Sequence, residues 1–86
     1  MPEISRFYGI VIKIYFGDHL PPHFHAEYGF DEGLWTIESC KMFAGALPSR
    51  ATALVAEWAS LHQAELREAW SRAKNLQPPG KIAPLP

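Results

Sequence analysis

Three of the four histidines fall in one segment, Asp18-His19-Leu20-Pro21-Pro22-His23-Phe24-His25-Ala26-Glu27-Tyr28. Imidazole titrates near neutral pH, ligates transition metals, and can give or take a proton. If His23 to Tyr28 is extended, alternation places His23, His25 and Glu27 on one face. Phe24, Ala26 and Tyr28 then share the other, which is apolar and belongs against a core. The histidine face is expected to point away from that core, or into a groove on the open side of a sheet.

Two reactive uses fit these residue types. His19, His23 and His25 with a nearby carboxylate offer ligands that a divalent ion such as zinc accepts. That ion is the one cofactor candidate, and no CxxC or HExxH spacing fixes a geometry for it. An extended strand spreads His23 to Glu27 over about 13 Å, at roughly 3.3 Å per residue. His23 and His25 can therefore share an ion that Glu27 cannot also reach. Alternatively, the pair His23 and His25 supplies a base and an acid, as in a metal-independent ribonuclease. That chemistry needs a cation for developing negative charge, and Lys13, Arg6 and Arg50 are the candidates.

A structural use asks less of the same residues. Histidine after Pro-Pro can bond its ring nitrogens to backbone carbonyls, and Asp18 is suited to cap a turn. A histidine on an open sheet face also packs well across strands, here against Tyr15 or Phe7. Partner binding through that face is a further reading, with Tyr15, His19 and Glu27 in the contact surface. His62 falls on the apolar side of a helix, where a hydrogen-bonded core histidine is expected rather than a ligand. Cys40 has only Lys41 as a basic neighbour, so a nucleophilic role is not expected.

The elements that must position these groups follow from periodicity. From Phe7 to Phe16 the residues are aromatic and β-branched, which favours a strand. Its apolar face is Tyr8, Ile10, Ile12, Ile14 and Phe16; Phe7, Val11, Lys13 and Tyr15 lie opposite. A second strand is expected over His23 to Tyr28, a third over Leu34 to Glu38, and a short fourth around Met42 to Ala44. Asp31-Glu32 reads as a solvated turn. Short connections favour an antiparallel meander.

After Leu47 the period becomes helical. Ala51, Leu54, Val55, Trp58, Leu61, His62, Leu66, Ala69, Trp70 and Ala73 follow i, i+3, i+4, i+7 spacing. Pro48 suits the first turn, Ser49 competes as N-cap, and the pattern predicts one long amphipathic helix to about Asn75. Glu68 and Arg72 are spaced to pair across one turn. Four prolines and a glycine rule out a helix in the tail, residues 77–86. It is expected to be loose, or to dock Ile82 and Leu85 in a groove, with Trp70 as a candidate cradle. The expected fold is α+β: a meander of three to four strands on one long C-terminal helix. Residues 1–76 form a single domain, followed by the proline-rich tail.

Composition limits the function classes. A chain of 86 residues buries only about 60% of its unfolded surface, which suffices for one modest core. A lone cysteine excludes an internal disulfide, and no leader or membrane span is visible, so a cytoplasmic location is expected. The net charge of −1 disfavours broad binding to nucleic acid, whose recognition usually needs a basic surface.

Several stretches together resemble domain of unknown function 4160. They are Pro2-Glu3-Ile4-Ser5-Arg6-Phe7-Tyr8-Gly9-Ile10, the proline–histidine segment Asp18 to Tyr28, Gly45-Ala46-Leu47-Pro48 leading into Val55-Ala56-Glu57-Trp58-Ala59, and the tail around Ile82. Leu20 stands where that family can carry a proline. The resemblance implies a short bacterial protein encoded beside another small gene, in a manner similar to toxin–antitoxin modules. It carries no assigned catalytic residues. The expected function is therefore a protein-binding component of a two-gene module, its partner a small neighbouring protein. A ribonuclease-type toxin and a metal-binding module are the alternatives. An exposed strand edge offers a route to a homodimer.

Overall fold

A computed structural model describes residues 3–17 and 19–86. The turn-capping role expected of Asp18 lies outside the described residues. Five strands form one antiparallel sheet in sequential order: β1 (Glu3–Phe7), β2 (Ile10–Lys13), β3 (His23–Tyr28), β4 (Asp31–Thr36) and β5 (Lys41–Gly45). Two helices follow, α1 (Ser49–Leu61) and α2 (Gln63–Lys74). The α+β meander is as expected, with one strand and one helix more.

The extra strand arises at Tyr8-Gly9. Phe7 pairs with Ile10 across this two-residue turn, and both central residues have positive φ, +50° and +81°. That is the signature of a type I′ hairpin, whose twist matches its flanking strands. Tyrosine is not a usual residue at the first position, so the turn carries no sequence signal. The expected single strand from Phe7 to Phe16 is therefore two strands. Phe7 moves into the core, while Tyr8 and Phe16 are about half exposed. Ile10, Ile12 and Ile14 are fully buried, as their spacing requires.

β3 runs over the expected residues. β4 begins at Asp31, three residues before the expected start, because Gly29-Phe30 alone makes the turn and Tyr28 pairs directly with Asp31. Gly29 supplies positive φ and leaves Phe30 projecting fully into solvent. Asp31-Glu32 is thus paired strand rather than turn.

The expected single helix is interrupted at His62, whose φ of −120° and ψ of 27° leave the α region. The i, i+3, i+4 spacing passes through this break unchanged, which is why periodicity does not reveal it. The next residue explains the redirection. The Gln63 amide donates to the Ile37 and Glu38 carbonyls, at 2.9 and 2.8 Å, and Arg67 forks onto the Glu38 carboxylate. These bonds fasten α2 to the β4–β5 connection. Arg72 and Glu68 pair on the exposed side of α2 as expected.

The core lies between the Ile4, Ile10, Ile12, Phe24, Ala26 and Trp35 face of the sheet and the helices. Trp58 sits at its centre, with ring centroids 5.4 Å from Phe7 and 5.8 Å from Phe24. Ile82 and Leu85 of the tail are buried in the same cluster. The tail is docked on Trp58, whose indole donates to the Ala83 carbonyl at 2.9 Å, while the Trp70 ring meets His23.

Candidate functional site

Strand register places the histidines. β3 lies between β2 and β4, with His25 opposite Lys13 on one side and Leu34 on the other. His23, His25 and Glu27 share the face opposite Phe24 and Ala26, as alternation requires. Tyr28, expected in the core with Phe24 and Ala26, is exposed at the end of the strand beside the Gly29-Phe30 turn. Yet His23 is not outward in the expected sense. It is 5% exposed, with Trp70 of α2 at 5.4 Å and Phe43 of β5 at 5.7 Å, centroid to centroid. Alternation assigns a face but cannot foresee that a helix end and an edge strand close over it.

The pair is held by its surroundings. His23 Nδ1 lies 2.7 Å from the Pro21 carbonyl oxygen. A carbonyl only accepts, so Nδ1 carries a proton and donates this bond. The Pro-Pro segment therefore orients the ring of the histidine that follows it. His25 Nδ1 contacts the Glu32 carboxylate at 3.2 Å, a diagonal contact across β3 and β4. The two imidazole centroids are 5.2 Å apart, and Tyr15 meets His25 edge-on at 4.5 Å.

Tyr15, His23, His25, Phe43 and Trp70 thus form one aromatic–imidazole cluster. Glu27 lies on the same face but is turned to Lys13, at 3.1 Å. That bond raises the Lys13 pKa above its ordinary value, against the desolvation that lowers it. His19 is exposed in the loop ahead of Pro21. Among the described residues no three His, Cys, Asp or Glu side chains converge to hold a metal ion.

The cations considered for acid–base chemistry are elsewhere or committed. Lys13 is paired with Glu27, and Arg6 forks onto Glu3. Arg50 lines a shallow recess with Tyr8 and Tyr28 at the start of α1. Cys40 is partly buried, and burial raises its thiol pKa, which suits an inert side chain. His62 caps the helix break, its Nδ1 2.6 Å from the Glu65 carboxylate and its ring against Trp58.

Phe43 and Glu32 complete the cluster and were not legible in the sequence. Each belongs to a strand whose start, bulge or end is fixed by pairing. The β4–β5 register shifts between Leu34 and Trp35, and that irregularity falls next to Phe43.

The family model for a domain of unknown function, DUF4160, matches residues 9–71. The chain belongs to the DUF4160 family. The match takes in β2 to β5, α1 and most of α2, hence every member of the cluster. β1 and the tail fall outside the DUF4160 span. No curated protein and no solved structure matches the chain. Among the described residues, no helix is long and apolar enough to cross a membrane.

One consequence concerns stability. His23→Ala should cost roughly 1–3 kcal/mol, since it strands the Pro21 carbonyl and opens a gap under Trp70. His25→Ala, at a more exposed position, should cost less. Urea denaturation of both variants checks the order, and equal stabilities would show that His23 does not brace the loop.

Proposed function

We propose that this DUF4160 protein is a protein-binding component of a small two-gene, toxin–antitoxin-like module, and that its contact surface is the sheet face around His25, Tyr15 and Phe43. The observation that supports this reading is the division of labour within the histidine pair. His23 is covered and bonded to its own loop, so it serves as a rigid floor. Above it, Phe43 remains 48% exposed on an edge strand. A preorganised aromatic group beside an open strand edge suits a partner that adds an extended segment to β5.

Acid–base catalysis receives less support. A general base must reach the proton it removes, and His23 is nearly inaccessible. The nearest cation, Lys13, is neutralised by Glu27. A ribonuclease would also have to hold a polyanion with a chain of net charge −1.

The experiment is co-expression with the product of the adjacent gene, followed by purification on a tag carried by one of the two. The natural chain should bring down its neighbour. Phe43→Asp should reduce recovery at least tenfold with a smaller fall in the urea midpoint than His23→Ala, because the side chain packs on His23 but is half in water. Undiminished recovery would remove this surface from the proposal. Growth inhibition by the chain alone, lost in His25→Ala but not in Phe43→Asp, would favour the ribonuclease reading instead.

A further inference from the structure

Gly33 of β4 leaves a small space at the edge of the core, and two other side chains flank it. A Cβ built on Gly33 would stand 2.6 Å from Met42 Sδ, 3.2 Å from Trp35 Nε1 and 3.3 Å from Leu47. Thioether sulfur and indole nitrogen therefore lie side by side over the glycine. Register explains the meeting. Met42 of β5 is the direct partner of Trp35, and Trp35 stands two residues along β4 from Gly33, on the same face.

The indole carries an unused donor. Trp35 is 2% exposed, and its Nε1 has no hydrogen-bond partner among the described residues. An indole nitrogen can only donate, and a buried donor left unpaired is costly. Trp58, by contrast, gives its N–H to the Ala83 carbonyl.

Two sulfurs fall among the described residues, those of Cys40 and Met42. Peroxides attack thiolates, but burial raises the Cys40 thiol pKa, and its Sγ donates to the Ile37 carbonyl. Little thiolate is present there at neutral pH. A thioether needs no deprotonation, and Met42 is only partly buried on the edge strand β5. Met42 is therefore the more readily oxidised of the two.

We propose that Met42 is a reversible oxidation site for peroxides, and that the Trp35 indole N–H receives the oxygen that oxidation adds. The sulfur lone pair attacks one oxygen of hydrogen peroxide, and an S–O bond forms as the O–O bond breaks. The proton on the transferred oxygen passes to the departing hydroxide, which leaves as water. Sulfur loses two electrons and peroxide gains them. A sulfoxide at the edge of a core ordinarily disrupts packing, because its polar oxygen finds no donor. Here the donor is in place. The oxidised chain keeps its fold, with β4 and β5 joined by one new side-chain hydrogen bond. Methionine sulfoxide reductase restores the thioether.

The test treats the natural chain with dilute hydrogen peroxide, then applies peptide mass mapping and proton–nitrogen NMR of the indole groups. Met42 should gain one oxygen atom while far-UV circular dichroism stays native. The Trp35 indole proton, assigned by through-bond correlation, should move downfield and exchange more slowly with solvent. Sulfoxide reductase should return it to its starting position. Met42→Leu conserves volume and should lose both the uptake at position 42 and the shift. Oxygen uptake confined to Met1 in the folded chain overturns the proposal. So does a Met42 sulfoxide that leaves the Trp35 resonance unmoved or unfolds the chain, and so does an equal shift in Met42→Leu.

Discussion

Trp58→Ala is expected to remove most of the stability of this domain. Its side chain is fully buried and meets Phe7, Phe24 and His62 within 6 Å, centroid to centroid. Its indole N–H is also one of the bonds that hold the tail, so Ile82 and Leu85 loosen when it goes. Replacing a buried tryptophan by alanine costs about 3–5 kcal/mol in other cores. A chain of this size has only roughly 4–13 kcal/mol in all, at about 0.05–0.15 kcal/mol per residue. The loss of a docked arm adds to the cavity, so the upper end of the range is expected. Trp58→Phe keeps most of the ring contact but not the hydrogen bond, and should cost about half as much. Urea denaturation followed by far-UV circular dichroism separates the two. A cost below about 1 kcal/mol for alanine would mean that neighbouring side chains collapse into the space.

Gly45→Ala is the second large effect, and its cause is backbone rather than packing. Gly45 ends β5 with φ of +79°. A Cβ there would collide with the Glu32 carbonyl oxygen, a clash that no rotamer can relieve. The same carbonyl accepts the Ala46 N–H, so relief requires the end of the β4–β5 pair to open. Strained φ alone costs roughly 1–2 kcal/mol, and the lost pairing should bring the total to about 3 kcal/mol or more. Gly29→Ala is the control. It has φ of +60° but nothing within 4 Å of the added methyl, so it should show the φ cost alone. Equal midpoints for the two variants would mean that the β5 end yields without penalty. If β5 is the partner-binding edge as proposed, Gly45→Ala should also weaken that binding, because Phe43 lies two residues away.

How far the sequence alone reached differs between elements. Period two over His23 to Tyr28 specified β3 and its two faces, because a strand's side chains alternate whatever surrounds it. Helical spacing after Leu47 picked out Ala51, Val55, Trp58, Leu66, Ala69, Trp70 and Ala73, all buried, since the apolar stripe must meet a sheet. It missed buried Ala59 and wrongly included Leu61, which the break at His62 leaves exposed. Both signals are local, and both were legible. The Tyr8-Gly9 hairpin was not, because a tyrosine at positive φ is a conformation imposed by pairing between β1 and β2. The helix break was not, because what redirects α2 is a pair of carbonyls from the β4–β5 connection acting on Gln63. Neither partner of such long-range contacts announces the other in its own neighbourhood.

The histidine segment shows the same boundary. Composition and alternation determined that His23, His25 and Glu27 share a face and that Phe24 and Ala26 face the core. Tertiary structure alone decided that His23 is covered by Trp70 and Phe43, that its Nδ1 meets the Pro21 carbonyl, and that Glu27 is drawn to Lys13. Sequence spacing orders side chains along one element. Burial, hydrogen bonding and ion pairing depend on which other elements arrive, and only the packed fold determines that.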